Sequence, residues 1–448
     1  MNEEFLHHAW KYGLFRRTAL RTIAGEPVEI IQPGRHNFDS GPDFFNAQLK
    51  IGDQLWAGNV EIHIRSSDWN RHFHSQDAAY DNVVLHVVHT HDEKIKRRSG
   101  EEIPTLELGN ILNRDAWMKY VNLGNSRDRV PCEGQLREVE EFTVRNWLDR
   151  LLIERLEAKS VAIHARLAAN RNDLEESFYQ LLARNFGFKV NDHPFELLAR
   201  SLPPGIIAKH RDKPFQVEAL LFGQAGLLGN KFREKYPREL KKEYEFLRKK
   251  YSLEPMPALL WKFMRMRPVN FPGIRIAQFA RLMSRQAKLF SEVMEAKSAK
   301  ELCALLACRP HEYWSDHYTF GVRSQRKEKQ LGADAMNNII INTIVPFLFV
   351  FGKQRGEERY VERAISFLET LDGEDNSIIR QWRALGMPAQ TAGRTQALLH
   401  LKKEYCDKKK CLQCAIGAKL LSRKEMPMKR QPPGKTKKPF REEGLDTF

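Results

Sequence analysis

The chain has 448 residues, of which 42% are hydrophobic, and it carries a formal net charge of +16. This length allows about two or three domains, and the hydrophobic content excludes a disordered chain because it suffices for packed cores. The basic surplus favours a polyanionic partner, nucleic acid before others and DNA before RNA.

Several features bear on the cellular location. No apolar run reaches the roughly 18 residues that a membrane span needs, and the longest, residues 339–351, is broken by polar residues and Pro346. The N-terminus lacks the basic and apolar regions of a signal peptide. The six cysteines do not suit a secreted disulfide framework. We expect a cytoplasmic protein without a membrane span, and the oligomeric state stays open.

Residues 1–112 predict a mixed α/β core with the element order αβββαβ. Apolar spacing predicts helices and alternation predicts strands. The near-continuous apolar run VVLHVV predicts a central strand. The predicted elements are a helix over 3–15, a strand ending at 31, strands over 44–51 and 55–65, a short helix over 75–80 and a strand over 83–88.

The rest of the chain predicts a larger all-α domain. Residues 113–137 contain helix breakers and predict a connector. Helical periodicity then continues over 138–421, beginning with a long helix over 142–167. Residues 422–448 are rich in Lys, Arg, Pro and Gly and predict a disordered basic tail. The expected fold class is therefore α+β.

Two acids and a histidine converge on the predicted hairpin. Asp43 opens the first strand after a Gly-Pro turn, whereas Glu61 and His63 point to one side of the second strand. Carboxylate oxygens held together favour a hard divalent cation. Glu4, in the first turn of the first helix, either complements the helix dipole, which we favour, or supplies a further ligand.

This arrangement resembles the PD-(D/E)XK nuclease superfamily. The matching residues are Pro42-Asp43 and then Glu61-Ile62-His63, within an αβββαβ core over about residues 1–110. The resemblance implies a restriction-endonuclease-like fold in which Asp43, Glu61 and the carbonyl of Ile62 hold Mg²⁺ or Mn²⁺. Such an ion would polarise a scissile phosphodiester and activate water.

One position departs from the superfamily pattern, because His63 stands where a lysine is usual. Histidine can orient or deprotonate water, and Lys50 or Arg65 would have to replace the missing positive charge. The expected function is metal-dependent hydrolysis of phosphodiester bonds in nucleic acid. The alternative is a catalytically inactive nucleic-acid-binding protein that keeps the fold.

A longer set of segments resembles a bacterial family known as domain of unknown function 2851. This resemblance spans nearly the whole chain and implies no established activity. The segments are GPDFFNA, WAGNVEIHIRSSDW, AYDNVVLHVVHTHD and the later CLQCAIG.

Histidines are concentrated in the first hundred residues. A single histidine is most often structural or exposed, but the set favours a metal site or phosphate contacts, with His72 and His74 as candidate contacts to nucleic acid. Imidazole ligands would suit a transition metal, so a His/carboxylate metal hydrolase is a second enzymatic hypothesis. The set is His36, His63, His72, His74, His86, His89 and His91.

The spacing Cys406-x4-Cys411-x2-Cys414 suits a soft metal at a structural site. His400 would complete a zinc site of three thiolates and one imidazole. Cys132 would instead complete an all-thiolate site, which could be an iron–sulfur cluster. Some nucleases of the superfamily join one distant and three late cysteines in this way, and three free thiols are the simpler alternative.

Arginines interleaved with aromatic and proline residues occur at Arg265, Arg267 and Arg275. This pattern favours a groove that follows a nucleic-acid backbone. A solvated helix start after Pro272-Gly273 is an equally good interpretation.

Overall fold

The computed structural model describes residues 1–37 and 39–423, so the predicted tail lies outside the described residues from position 424 onward. The chain divides into two units. The first contains Met1–Val139 and the chain from Lys409 onward, and the second contains Glu140–Lys408. The first boundary lies close to the predicted start of the helical domain. The expected end at 421 is corrected, because the chain returns to the first unit at Lys409.

The first unit is built on a curled mixed sheet. Strand order is β1-β3-β4-β5-β6, with β2 also paired to β3. The pairs β1–β3 and β3–β4 are antiparallel, whereas β4–β5 and β5–β6 are parallel. Its elements before residue 140 are α1 (Glu3–Tyr12), β1 (Val28–Gln32), β2 (Arg35–His36), β3 (Phe44–Ile51), β4 (Gln54–Arg65), α2 (Asp68–Arg71), β5 (Val83–Thr90), β6 (Thr105–Glu107) and α3 (Arg114–Asn125).

Helix α1 covers the sheet next to β4. Its first turn is capped by the Asn2 side chain, which accepts a hydrogen bond from the Phe5 N–H at 3.1 Å, and it ends at Gly13 in the left-handed conformation. Phe5 and Trp10 are fully buried in the core of the unit. The apolar stripe of α1 packs in this core, so its position determines which polar side chains beside the stripe lie near the sheet.

A bulge interrupts the pairing of β3 with β4. Phe44 pairs with Val60, but Ala47 pairs with Gly58, so β3 carries an extra residue between these pairs. Asn46, within the bulge, has φ of 57°. Bulges bend a strand and re-aim its side chains, and this one controls how the start of β3 meets β4.

The second unit is helical, apart from a short hairpin. Its elements are α4 (Glu141–Ala169), α5 (Leu174–Phe186), α6 (Phe188–Ser201), α7 (Pro204–Ala208), α8 (Pro214–Gln224), α9 (Lys235–Tyr251), α10 (Pro272–Arg285), α11 (Leu289–Glu295), α12 (Ala299–Leu306), β7 (His317–Thr319), β8 (Val322–Arg323), α13 (Ala333–Ile339), α14 (Val345–Arg355), α15 (Glu358–Thr370), α16 (Ser377–Ala384) and α17 (Ala392–His400). The mixed α+β class, with an N-terminal sheet and a larger helical part, agrees with the prediction.

The final described helix, α18 (Ala415–Ser422), belongs to the first unit. Leu412 and Leu421 are buried in the same core as Phe5 and Trp10. Residues 409–423 are therefore an integral part of the sheet-containing unit.

One local expectation is corrected. The predicted connector contains the regular helix α3, which Asn113 caps by accepting from the Ala116 N–H at 3.0 Å. Helix α6 is divided by a kink, because Asn191 leaves the helical conformation, with φ of −117°. Two helical segments therefore meet just before Asp192-His193-Pro194.

One continuous helical run, residues 333–355, is long and apolar enough to cross a membrane by length and composition alone. Of its apolar window, 78% is buried inside the protein. An interior helix of a folded unit has the same composition, because its partners are apolar on every side.

Candidate metal centre

Two hydrogen bonds, each from a backbone N–H to a carboxyl group, connect the region of Asp43 to that of Glu61. The Asp43 N–H donates to Glu61 Oε2 at 3.0 Å, and the N–H of Ile62, next to Glu61, donates to Asp43 Oδ2 at 2.9 Å. Two carboxyl groups from neighbouring strands are thus held side by side at one edge of the sheet.

Glu61 and His63 share one face of β4, as the alternation predicts. Nε2 of His63 lies 3.5 Å from Glu61 Oε1. Nε2 of His74 lies 3.4 Å from the same oxygen, and Nδ1 of His72 lies 3.2 Å from His63 Nε2. The structure therefore joins the predicted carboxylate pair with two of the predicted histidine contacts.

Three imidazoles of the cluster lie close enough together that they could hold a metal ion. Ligand atoms of His63, His72 and His74 all lie within 4.8 Å of one another. Two ligands bound at about 2.1 Å in a tetrahedral zinc site are separated by roughly 3.4 Å. The donor set of three imidazoles beside a carboxylate therefore fits a divalent transition metal.

A tight reversal after α2 brings His72 and His74 back over β4. Phe73, between them, has φ of 61° and is 66% exposed. A bulky residue in the left-handed region is strained, and such strain is frequent at functional sites. The ring of Tyr80 stacks on His74 with centroids 3.8 Å apart, which fixes the returning segment.

His86 contacts the cluster through the ring of His63. It is fully buried on β5, directly opposite Glu61 in the parallel pairing. Its Nε2 lies 2.8 Å from Nδ1 of His63. A partner on the outer nitrogen fixes the orientation and tautomer of a ligating imidazole, so His86 acts as a positioning residue for His63.

Burial controls the ionisation of the cluster. It raises the pKa of Glu61 to about 9, and the neighbouring Asp43 carboxylate adds to the shift. Burial also lowers the pKa of His63 to about 3, with further contributions from His74 and His72. At neutral pH the imidazole of His63 is therefore a neutral donor, whereas the carboxyl pair retains a proton that a metal would displace.

Helix α1 contributes two residues, His7 and Glu3, that were not among the predicted site residues. Nε2 of His7 lies 3.1 Å from Asp43 Oδ2. Burial lowers the pKa of His7, but the Asp43 carboxylate outweighs it and the net shift is upward. Glu3, one turn earlier, acts electrostatically on both His7 and Glu61. The i, i+4 spacing of Glu3 and His7 was the available signal.

Two expected site residues are corrected. Glu4 is exposed and accepts a hydrogen bond from Gln413 Nε2 at 3.2 Å, so it faces the C-terminal segment. Lys50 pairs with Leu55 at the far end of the hairpin. Seven residues along β3 from Asp43 correspond to about 23 Å, so Lys50 does not supply the positive charge that the nuclease pattern requires.

A model of the family described as "Protein of unknown function (DUF2851)" matches residues 3–377. The chain belongs to the DUF2851 family. No curated protein and no solved structure matches it. The matched region contains every residue of the imidazole–carboxylate cluster, and it ends before the CLQCAIG segment.

The DUF2851 chain brings three of its cysteines into one unit. Burial raises the pKa of the Cys132 thiol to about 12, and the thiols of Cys414 and Cys411 add to the shift, so both act electrostatically on Cys132. Cys406 and His400 belong to the second unit, where His400 Nε2 lies 3.6 Å from Glu154 Oε2.

The arginines predicted to contact nucleic acid differ in exposure in the DUF2851 chain. Arg65, at the end of β4, is exposed, as are Arg265 and Arg267 in the second unit. Arg275 is only 6% exposed. The first three side chains are therefore accessible to solvent, whereas Arg275 is not.

Proposed function

We propose that the chain is a divalent-metal-dependent hydrolase that cleaves phosphodiester bonds in nucleic acid. The observation that carries the proposal is the spacing of His63, His72 and His74 beside Glu61. The element order and the Asp43–Glu61 pair resemble the PD-(D/E)XK nucleases, and the basic surplus of +16 suits a nucleic-acid substrate.

The donor set favours Mn²⁺ or Zn²⁺ over the Mg²⁺ that the carboxylates alone suggest, because imidazole suits transition metals. Glu61, His63, His72 and His74 would hold the ion, with Asp43 adjacent. The ion would polarise a phosphoryl oxygen and lower the pKa of bound water. His63 serves better as a ligand than as the expected base, since its Nδ1 is already engaged by His86.

His7 is the best candidate for proton transfer. It is part-buried, it lies beside Asp43, and its pKa is raised by that carboxylate. A histidine whose pKa is raised holds its proton more strongly and can donate it to a leaving alkoxide. We assign His7 as the general acid of the proposed reaction.

A non-catalytic nucleic-acid-binding protein is the second candidate function. The charged groups with the largest influence on Glu61 are Asp43, His7 and Glu3, with no lysine or arginine among them. Arg71 acts electrostatically on His63, but a carboxyl pair without a strong cationic influence lacks part of the stabilisation that phosphoryl transfer requires. This feature favours binding without cleavage.

Metal titration followed by a cleavage assay separates these functions. Chelator-treated full-length protein is titrated with Mn²⁺, Zn²⁺ and Mg²⁺, and metal-loaded protein is then incubated with linear and circular DNA and with RNA. We expect Mn²⁺ or Zn²⁺ binding, followed by cleavage that His72→Ala and Glu61→Gln abolish. His89→Ala, on the same strand as His86, is the matched control.

Binding of both metal and nucleic acid without cleavage supports the second candidate. Failure of the wild-type protein to bind any of the three ions contradicts the metal-dependent hydrolase.

We also propose a structural metal at Cys132, Cys411 and Cys414, held as zinc or as an iron–sulfur cluster. The electrostatic influence of the Cys411 and Cys414 thiols on Cys132 supports a shared metal, because neighbouring thiols become good donors once a metal displaces their protons. Cys406 and His400, the other predicted ligands, belong to the second unit and are not part of this proposal. The colour of the purified protein and elemental analysis of Cys132→Ser, with Cys303→Ser as control, test this assignment.

A further inference from the structure

A cavity of about 580 Å³ lies within the second unit, beside the start of α10. Its wall brings together the cationic side chains of Arg267, Arg275, Lys327 and Lys329. Cavities of this size accommodate small organic ligands, which are usually oriented by a few polar groups. The charge of the wall suggests that the ligand is an anion.

Arg275 is the most informative of these residues. Nη1 donates to Gln278 Oε1 at 2.9 Å, and Nη2 donates to Asn270 Oδ1 at 2.5 Å. Its Nε is buried and has no hydrogen-bond partner among the described residues. The guanidinium also lies 4.4 Å from the centre of the Phe188 ring. Every contact partner of this nearly buried cation is thus uncharged.

Lys329 repeats the pattern on the facing segment. It is 5% exposed, and its Nζ donates to the carbonyl oxygens of Trp314 and Ser315 at 2.8 and 2.7 Å. The ammonium lies 4.2 Å from the centre of the Tyr318 ring. Carbonyl groups and a ring face hold the cation in place. The Asp316 carboxylate also acts on it electrostatically, but that carboxylate is paired with His317 Nδ1 at 2.7 Å.

Buried charges without a counter-ion are costly, because desolvation exceeds what neutral partners return. Among the described residues, no carboxylate forms an ion pair with Arg275 or Lys329. Two acids line the cavity, but Glu328 is paired with Arg309 at 2.9 Å and Asp334 is exposed. A bound anion would supply the missing negative charge.

We propose that this cavity binds a phosphate monoester carried by a mononucleotide or by the end of a nucleic-acid strand. A planar guanidinium matches phosphate oxygens in geometry, and several cations together suit a dianion better than a single carboxylate. Arg267 and Lys327 at the rim would contact the same group. The uncharged floor of amides and rings leaves room for the attached nucleoside.

The proposal is independent of the metal centre. The cavity belongs to the second unit, whereas Asp43 and the imidazole cluster belong to the first. Its test therefore measures binding, with no cleavage step. The Asp43→Ala variant should retain the binding described next, so failure of the hydrolase proposal would leave this one standing.

Thermal shift and calorimetry on the full-length protein test the cavity. Inorganic phosphate and adenosine 5′-monophosphate should raise Tm, and adenosine should not. A short oligonucleotide with a 5′-phosphate should bind more tightly than the same strand without one. Tighter binding of the phosphorylated strand than of the mononucleotide identifies the strand end as the source, and the reverse order identifies the free nucleotide.

Substitutions in the cavity wall test whether the mononucleotide binds there. Arg275→Met should weaken mononucleotide binding about 10-fold to 100-fold, because charge-assisted hydrogen bonds are lost. Arg267→Gln, at the exposed rim, should weaken it about threefold, and this variant decides the matter if Arg275→Met does not fold. Arg323→Gln, exposed on β8 and outside the cavity wall, is the control.

The proposal is overturned if neither phosphate nor the mononucleotide stabilises the wild-type protein. It is equally overturned if adenosine binds as well as its monophosphate, or if Arg323→Gln weakens binding as much as Arg267→Gln.

Discussion

Asp43 donates its backbone N–H to the carboxyl group of Glu61, across the junction of β3 and β4. Its own carboxyl group accepts from the Ile62 N–H. The two acids are therefore fixed by the backbone before any metal arrives, and such preorganisation lowers the cost of assembling a site.

The reciprocal bonds predict different outcomes for two substitutions of Asp43. Asp43→Ala leaves the Ile62 N–H without an acceptor and should lower the free energy of unfolding by about 1–3 kcal/mol. Asp43→Asn keeps an acceptor and should cost less, while both variants lose metal affinity. Urea unfolding in the presence of a chelator measures the difference. Equal destabilisation by Ala and Asn would contradict the structural role of the Asp43–Ile62 bond.

Metal affinity should rise with pH. The pKa of Glu61 is raised to about 9 by burial and by Asp43, so below that pH a metal must displace a proton from the carboxyl pair. His63, with a pKa lowered to about 3, releases none. Affinity should increase about tenfold per pH unit between pH 6.5 and 8.5 if one proton is released.

Calorimetric titration in buffers of different ionisation enthalpy counts the released protons. Glu61→Gln should bind more weakly and lose most of the pH dependence. A steep dependence that persists in Glu61→Gln would assign the proton to another group.

Removing His86 should weaken metal binding without removing a ligand. His86→Ala deletes the partner of His63 Nδ1, and loss of such outer partners typically reduces metal affinity about 10-fold to 100-fold. His86→Gln can still hydrogen-bond and should recover part of the loss. His89→Ala is the matched control, since His89 contacts Thr90 Oγ1 at 2.9 Å. Unchanged affinity in His86→Ala would remove it from the site.

Stability of the second unit should depend on pH through Glu218. This buried acid on α8 accepts a hydrogen bond from Trp314 Nε1 at 2.7 Å, and burial raises its pKa to about 7. The unfolded chain ionises first as pH rises, so the free energy of unfolding should fall by roughly 3 kcal/mol between about pH 4.5 and pH 7.

Glu218→Gln keeps an acceptor for Trp314 and has no charge to bury. Its Tm relative to wild type should therefore increase from pH 5 to pH 8. The exposed Glu239→Gln, on α9, is the control. A constant Tm difference between Glu218→Gln and wild type across this range would show that the native state tolerates the ionised carboxyl group.

The alternation of β4 was sufficient to predict that Glu61 and His63 share a face. It could not predict their exact partners, because the bulge at Asn46 shifts the register of β3 against β4 and the reversal at Phe73 depends on a rare backbone conformation. Neither position is a glycine, so the sequence does not indicate the positive φ there.

Helix α1 illustrates a second limit of sequence reasoning. Its apolar stripe has one Glu–His pair on each flank, Glu3 with His7 and Glu4 with His8. The two flanks look equivalent in sequence, and the alternative prediction of a further ligand was placed on Glu4. Only the packing of the helix decides that Glu3 and His7 face the acids, whereas Glu4 and His8 face the segment around Leu412 and Gln413.

The return of the chain to its first unit at Lys409 has a consequence for biosynthesis. Leu412 and Leu421 complete a core whose other members are translated about 300 residues earlier. A nascent chain leaving the ribosome therefore cannot close this core until its last segment emerges, although the intervening helical unit can already fold. Prematurely terminated chains would expose that open core, so they should be the species that chaperones and proteases recognise first.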